Sequence, residues 1–254
     1  MTKRLTNGQI SEIIKLAQAG ISLANIAGKF GLNKTTVYYH ARNYCRKMTR
    51  LHLNLLTEFE KGYLIGFFLG DGSLNRGRKT PRYIVRFALD AKRDQDISAR
   101  LYQIFQKGRK QTSIFPRDAT LIVKVCSKEL VDYIQTCVKY KRNQNDQIRK
   151  KLLIGKGWSL EFQYGVLAGI IDSDGHVQKH LGTEIKTVSP LVFEGILGIL
   201  TNLGIGAKTS IGESTKNSFS KKNRYIVYIP SKQVKAFQDK MCSVKMKRLS
   251  CLQS

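Results

Sequence analysis

Residues 161–175 read EFQYGVLAGIIDSDG, and residues 58–72 read EFEKGYLIGFFLGDG. Aligned without a gap, Glu58, Phe59, Gly62, Leu64, Gly66, Asp71 and Gly72 coincide with Glu161, Phe162, Gly165, Leu167, Gly169, Asp174 and Gly175. The echo continues downstream. TSI at 112–114 returns at 209–211, LIVKVCSK (121–128) as YIVYIPSK (225–232), and VKYKR (138–142) as VKMKR (244–248). The spacing between matched residues drifts only from 97 to 106, so one unit of about 90 residues occurs twice.

Each unit reads as helix, two strands, helix, two strands, helix. Tyr83, Val85, Phe87 and Leu89 alternate with Arg82, Ile84, Arg86 and Ala88, a strand with one apolar and one more polar face. Helices follow near Asp96–Lys107 and from Lys128, with strands near 110–116 and 120–126. The second unit repeats this order, with a basic hairpin tip at Ser214–Arg224. Short antiparallel strands packed on helices from one side make the class α+β and leave the other sheet face free for a ligand.

The repeated helices carry the chemistry. Thr57 and Glu60 form a capping box at the start of the first. Gly62, Gly66 and Gly70 recur every four residues along one face, as do Gly165, Gly169 and Ser173. Glycine costs ~1 kcal/mol against alanine inside a helix, so this spacing implies close backbone contact, and the natural partner of each helix is the other. Asp71 and Asp174 then stand at the helix ends, before glycines suited to a left-handed C-terminal position. Each carboxylate faces the negative end of a helix dipole, and pairing the helices brings both together. A divalent cation would neutralise them; hard oxygens suit Mg²⁺, with Mn²⁺ or Ca²⁺ able to take its place. Metal-bridged acids facing phosphates fit two-metal phosphodiester cleavage.

The chain's 44 Lys and Arg outweigh 18 Asp and Glu, a net charge of +26. Such an excess implies a polyanionic partner, because neutralising phosphates releases counterions. Five cysteines without a CxxC pair fit a reducing compartment and argue against a disulfide scaffold or a zinc ribbon. No apolar run is long enough to span a bilayer. The expectation is a soluble, cytoplasmic or nucleoid-associated protein of a prokaryote, phage or organelle, with no membrane partner.

Ahead of the repeat, Ile10, Ile13, Ile14 and Leu16 mark a helix over Gln9–Gly20. Ser22 caps a second through Phe30, and Asn33 a third from Lys34 to about Lys47. Ala27, Gly31 and Val37 are spaced as in a helix-turn-helix, and the segment resembles DNA-binding domains of the resolvase and regulator type. Lys34, Thr35, Thr36, Tyr38, Tyr39 and Arg42 would lie on the exposed side of helix three, where a major groove is read. The expected organisation is a helix-turn-helix domain over 1–47 and a basic connector at 48–56. A first half (57–142), a linker (143–158) and a second half (159–254) follow.

LAGIIDSDG (167–175) is a near match to the nine-residue signature of the LAGLIDADG homing endonucleases, and LIGFFLGDG (64–72) looks like a divergent first copy. The similarity covers roughly residues 56–254 and resembles the monomeric, two-motif members. It implies two αββαββα halves about a pseudo-twofold axis, with saddle-shaped antiparallel sheets in the DNA major groove. It further implies cleavage of both strands across the minor groove, leaving short 3′ overhangs at a double-stranded target. Carried over residue by residue, Asp71 and Asp174 are the metal-binding catalytic acids, Gly70 and Ser173 lend backbone carbonyls, and Lys141 and Lys247 stand near the scissile phosphates. The sixth signature position departs from the pattern in the first copy, where it is Leu69; the second copy has Asp172 there.

Seven Lys or Arg against one Asp in residues 73–93 make that sheet basic; Arg76, Arg78, Lys79, Arg82 and Arg86 are its expected groove contacts. Gln178, Lys179 and Lys186 are their counterparts in the second half. Two other functions fit parts of this pattern. One is a maturase bound to its own intron RNA, and the other is a transcription regulator in which the duplicated domain is only a scaffold. Loss of a motif acid would favour either; both acids are present.

Overall fold

Thr6 caps α1 (Asn7–Gln18): its hydroxyl accepts from the Gln9 amide at 3.3 Å, and the Gln9 side chain accepts from the Thr6 amide at 3.0 Å. This reciprocal cap starts the helix two residues before the apolar periodicity does. Ser22 caps α2 (Leu23–Phe30), and Gly31 ends it in the left-handed region, φ 61°. The third helix, α3 (Lys34–Ala41), departs from expectation twice. Asn33 makes no side-chain cap, and the helix stops at Ala41 rather than near Lys47. Ile13, Ala17, Ile26, Ala27, Val37 and Ala41 form the small core of this unit. In this computed structural model, which describes residues 5–19, 21–44, 50–75, 83–142, 148–155, 157–212 and 223–250, the chain forms two units, Met1–Met48 and Thr49–Ser254.

The larger unit runs α4 (Glu58–Asp71), β1 (Gly72–Asn75), β2 (Ile84–Asp90), α5 (Gln95–Lys107), β3 (Ser113–Arg117), β4 (Thr120–Cys126) and α6 (Lys128–Cys137). A hairpin of β5 (Val138–Arg142) and β6 (Ile148–Leu152) follows. Then come α7 (Leu160–Asp174), β7 (Gly175–Val177), β8 (Thr183–Thr187), α8 (Pro190–Asn202), β9 (Lys208–Gly212), β10 (Arg224–Ile229), α9 (Ser231–Met241) and α10 (Val244–Ser250). The αββαββα order is therefore present twice. Each half has an antiparallel sheet, in the orders β1-β2-β4-β3 and β7-β8-β10-β9. One face of each is buried: Val85, Phe87, Leu89, Val123 and Val125 in the first, Ile185, Val227 and Ile229 in the second. A single apolar core joins both halves through α4 and α7.

The repeat breaks at one place. VKYKR forms strand β5, whereas its echo VKMKR opens helix α10. The reason lies in the partners. Val138–Arg142 finds β6, inside the stretch 143–158 that reads as a linker, whereas the amides of Val244 and Lys245 donate to the Asp172 carboxylate, at 3.0 Å each.

Candidate active site

Helices α4 and α7 touch backbone to backbone. A Cβ built on Gly66 would stand 2.8 Å from the Val166 carbonyl carbon and closer still to its oxygen; one on Gly62 would meet the Phe162 carbonyl in the same way. From the other side, Gly165 faces the Phe59 carbonyl and Gly169 the Tyr63 carbonyl and the Phe67 amide. Only glycine allows this approach, and the seam delivers both helix ends to one point. Where they meet, a Cβ on Gly70 would lie 2.6 Å from Ser173 Cβ and 3.0 Å from the Asp174 carboxyl carbon.

The glycines after the acids serve closeness too, and not the left-handed turn that their position suggests. Gly72 and Gly175 are extended, φ −84° and −82°, and pass straight into β1 and β7. A Cβ there would stand 2.5 Å from Phe68 Cα and 2.7 Å from Ile171 Cα.

Asp71 and Asp174 share a cleft of about 660 Å³ with Lys150, Lys186 and Arg224. Burial, then the charge of Asp174, pushes the Asp71 carboxyl up from 3.8 to about 6, against the pull of Lys245 and Lys150. Desolvation raises Asp174 as well, opposed by the same two lysines. The two residues differ in access: Asp174 is open to water along the cleft, and the less exposed Asp71 is the one whose shift is large.

Two lysines cap the two helix ends. Lys150 Nζ donates to the carbonyls of Phe68, Leu69 and Gly70 at 2.7, 3.0 and 2.9 Å and lies over the Phe68 ring. Lys245 Nζ donates to the carbonyls of Ser173 and Gly175 at 3.0 and 2.9 Å. Each ammonium thus satisfies carbonyls that a helix end leaves without partners, and sits at the negative end of the dipole. Burial lowers both lysines against the pull of nearby carboxylates, Lys150 to about 8.

The donor set suits a hard cation. Two carboxylates held above their usual range, with the carbonyls of Gly70 and Ser173 alongside, offer only oxygen, the preference of Mg²⁺ and Ca²⁺. Both carbonyls already accept from a lysine, leaving each a second lone pair. Thermal unfolding in chelator would test the strain. A carboxyl raised in the folded state adds stability below its unfolded value, near 3.8, and loses that contribution as pH rises through about 6. The melting temperature of the wild type relative to Asp71→Asn is therefore expected to fall between those limits. Added Ca²⁺ should restore it above pH 6; a flat difference would contradict the strained pair.

Of the other residues expected to act, Lys247 lies exposed on α10, and the Lys141 side chain falls outside the described residues, as do Arg76, Arg78, Lys79 and Arg82. Among the described residues, the lysines that sit at the helix ends beside the acids are Lys150 and Lys245, which sequence spacing does not single out. Lys245 lies two residues before Lys247 in the repeated VKMKR; Lys150 arrives on β6, paired with β5, where the second half has α10.

Arg86 lies on the solvent face of its sheet, in a row with Ser73, Lys124 and Ser113. Lys186 is on the corresponding face, paired to Glu184 at 2.9 Å and opposite Ile226. Gln178 and Lys179 are exposed at the β7–β8 turn. Strand register adds Arg117, Lys124, Lys208, Arg224 and Tyr228 to these faces. In the smaller unit Lys34, Thr35, Tyr38, Tyr39 and Arg42 are exposed, Thr36 is half-buried, and the Arg42 guanidinium lies 5.0 Å from the Tyr39 ring.

Residues 161–242 match the LAGLIDADG-like domain family. No curated protein matches the sequence. Among solved structures, the homing endonuclease I-DmoI in complex with DNA and Ca superposes with a TM-score of 0.52 at 15% identity, covering 74% of this chain and 92% of that one. A variant of I-DmoI, in complex with its target DNA in the presence of Mg, gives 0.52 at 16% identity over 73% and 97%. Full-length DUF199/WhiA from Thermatoga maritima gives 0.50 at 15% identity over 78% of this chain and 61% of that one.

Proposed function

We propose that this chain, a LAGLIDADG protein by its fold and by the domain in its second half, is a divalent-metal-dependent endonuclease that cuts both strands of a specific DNA site. The observation that carries the reading is the pairing of Asp71 with Asp174 at the joined ends of α4 and α7, under a lysine on each side. A regulator that used the domain only as a scaffold would have no need of two like charges in one cleft.

Asp71 and Asp174, with the carbonyls of Gly70 and Ser173, would hold the metal. When bound, it supplies a Lewis acid for the phosphate oxygens and lowers the pKa of water. The chain's own residues do the rest. Lys150 and Lys245 place positive charge where a phosphodiester gains negative charge, and burial lowers the proton affinity of both, that of Lys150 to about 8, which suits it to pass a proton. The solvent faces of the two sheets, with Arg86, Arg117 and Lys124 on one and Lys186, Lys208 and Arg224 on the other, would read the groove. One copy suffices, since a single chain contributes both acids. The N-terminal helices would add DNA contacts in helix-turn-helix fashion, α3 presenting Lys34, Thr35, Thr36, Tyr38, Tyr39 and Arg42.

The test is selection of cleaved duplexes from a randomised library in Mg²⁺, with Ca²⁺ expected to support binding. One recurrent site cut in both strands supports the reading; selective binding with no cutting in any divalent metal favours a regulator, and preference for structured RNA a maturase. Charge gives a further expectation. Affinity for the selected site in Ca²⁺ should fall roughly 10³-fold between about 50 and 200 mM salt. Isothermal binding at several salt concentrations measures the slope, and a flat line would contradict groove binding.

A further inference from the structure

Within the repeated motif, the sixth position is where one copy has an apolar side chain and the other a charged one. In the first half it is Leu69, buried and apolar; in the second it is Asp172, 1% exposed. A lone carboxylate in a core is costly unless it is paired and hydrogen-bonded. This one is fully engaged. Ser243 Oγ donates to it at 2.6 Å, Tyr63 Oη of the opposite helix at 3.0 Å, and the amides of Val244 and Lys245 at 3.0 Å each. The Arg100 guanidinium lies 3.9 Å away, stacks over the Tyr63 ring at 4.3 Å, and donates to the Cys242 carbonyl at 2.5 Å.

Four of these contacts, those of Ser243, Val244, Lys245 and the Cys242 carbonyl, tie the site to residues 242–245. The carboxylate binds the opening amides of α10, and Ser243, itself fully buried, also accepts from the Met246 amide. The backbone of Lys245 is thereby fixed against α7, and its ammonium reaches the carbonyls on either side of Asp174. Lys150 owes nothing to this network. It is carried on β6, whose Leu152 packs against Gly195 of α8, and its own carbonyl accepts from Ser189 Oγ at 3.3 Å.

We infer that Asp172 is a positioning residue for one of the two strand cleavages: it holds Lys245 at the end of α7, while the lysine of the other half is held independently. The inference rests on the nuclease reading and gives it an asymmetry. With one lysine per half about a pseudo-twofold axis, each serves one strand, so loss of the anchor should disable one cut and spare the other.

The experiment uses supercoiled plasmid carrying the selected site, with strand-specific end labels to show which strand is cut. Asp172→Asn replaces one accepting oxygen with a donor that faces the Val244 amide and the Tyr63 hydroxyl. It is expected to slow one strand at least about tenfold, a modest part of what a positioned charge supplies, and to leave the other strand unchanged. Nicked circles should then accumulate. Lys245→Met should spare the same strand, Lys150→Met the opposite one. The double variant Asp172→Asn/Lys245→Met should be no slower than Lys245→Met alone, since both act on one group. Should Asp172→Asn not fold, Ser243→Ala removes a single donor and carries the same strand preference with a smaller ratio.

Equal slowing of both strands would mean that Asp172 only supports the fold, and equal wild-type rates would mean that it does not position Lys245; either overturns the inference alone. A wild type that cuts neither strand under any divalent metal would instead remove the nuclease reading beneath it.

Discussion

Asp174→Asn is expected to lower cleavage of the selected site by about 10³-fold or more while raising the melting temperature of the metal-free protein. Both effects have one origin. The carboxylates of Asp71 and Asp174 are held together at helix ends, where burial lifts the proton affinity of both and the charge of Asp174 lifts that of Asp71 further. Removing one charge relieves that repulsion, so the fold gains. The same change strips the site of half its anionic donors. If bound metal contributes several kcal/mol of charge stabilisation, losing ~4 kcal/mol of it at 1.36 kcal/mol per decade gives the stated loss.

Affinity for DNA should move against activity. With one fewer negative charge beside the phosphates, Asp174→Asn should bind the site in chelator at least as tightly as the wild type. Asp71→Asn should behave alike, because the pair acts as a unit. The decisive comparison sets single-turnover rates beside equilibrium binding and thermal melting for each variant. Cleavage retained within tenfold in either variant would end the assignment of the acids. Lost cleavage with equally lost binding and a lower melting temperature would point to a purely structural role.

The paired helices are legible in the sequence because glycine at every fourth position has few physical explanations, and duplication supplies the partner in the same chain. The acids follow, since Asp71 and Asp174 end those helices. The lysines do not. Spacing singles out Lys141 and Lys247 because VKYKR and VKMKR match residue for residue. The two segments fold differently, one as a strand against β6 and the other as a helix on Asp172. A repeat in sequence guarantees a repeat in structure only where the tertiary partners also repeat. Lys150 is hidden for a related reason: it sits on β6, whose partner strand β5 is matched in the second half by helix α10. In the sequence Asp172 is no more than a departure of one copy from the other. Its role becomes visible only when Ser243, Val244 and Lys245, some 70 positions downstream, are seen to donate to it.

Gly66→Ala should cost the larger unit much of its stability, against the ordinary preference of a helix for alanine. At an open site that preference rules. Gly28 in α2 has nothing within 4 Å of where an added methyl would stand, and Gly28→Ala is expected to gain roughly 0.5–1 kcal/mol. At Gly66 the methyl would occupy the place of the Val166 carbonyl, with the Ile170 amide at 3.0 Å. Neither is a side chain that can rotate away, so the helices must part along their length. Parting loosens the contacts of Tyr63, Phe67, Val166 and Ile170, all buried along or beside the seam. Overpacking alone costs ~1–3 kcal/mol. Adding the lost contacts, a total near 4 kcal/mol is expected, or roughly 10 °C in melting temperature for a domain of this size. Gly169→Ala meets the Phe67 amide at 2.6 Å and should fall as far. Because the same seam sets the separation of Asp71 and Asp174, any folded fraction of either variant should bind Ca²⁺ more weakly than the wild type. Melting curves and calcium titrations on both variants, with Gly28→Ala as reference, measure this. A Gly66→Ala protein as stable as the wild type would show that the helices do not meet through their glycines, and the shared site of the two acids would lose its foundation.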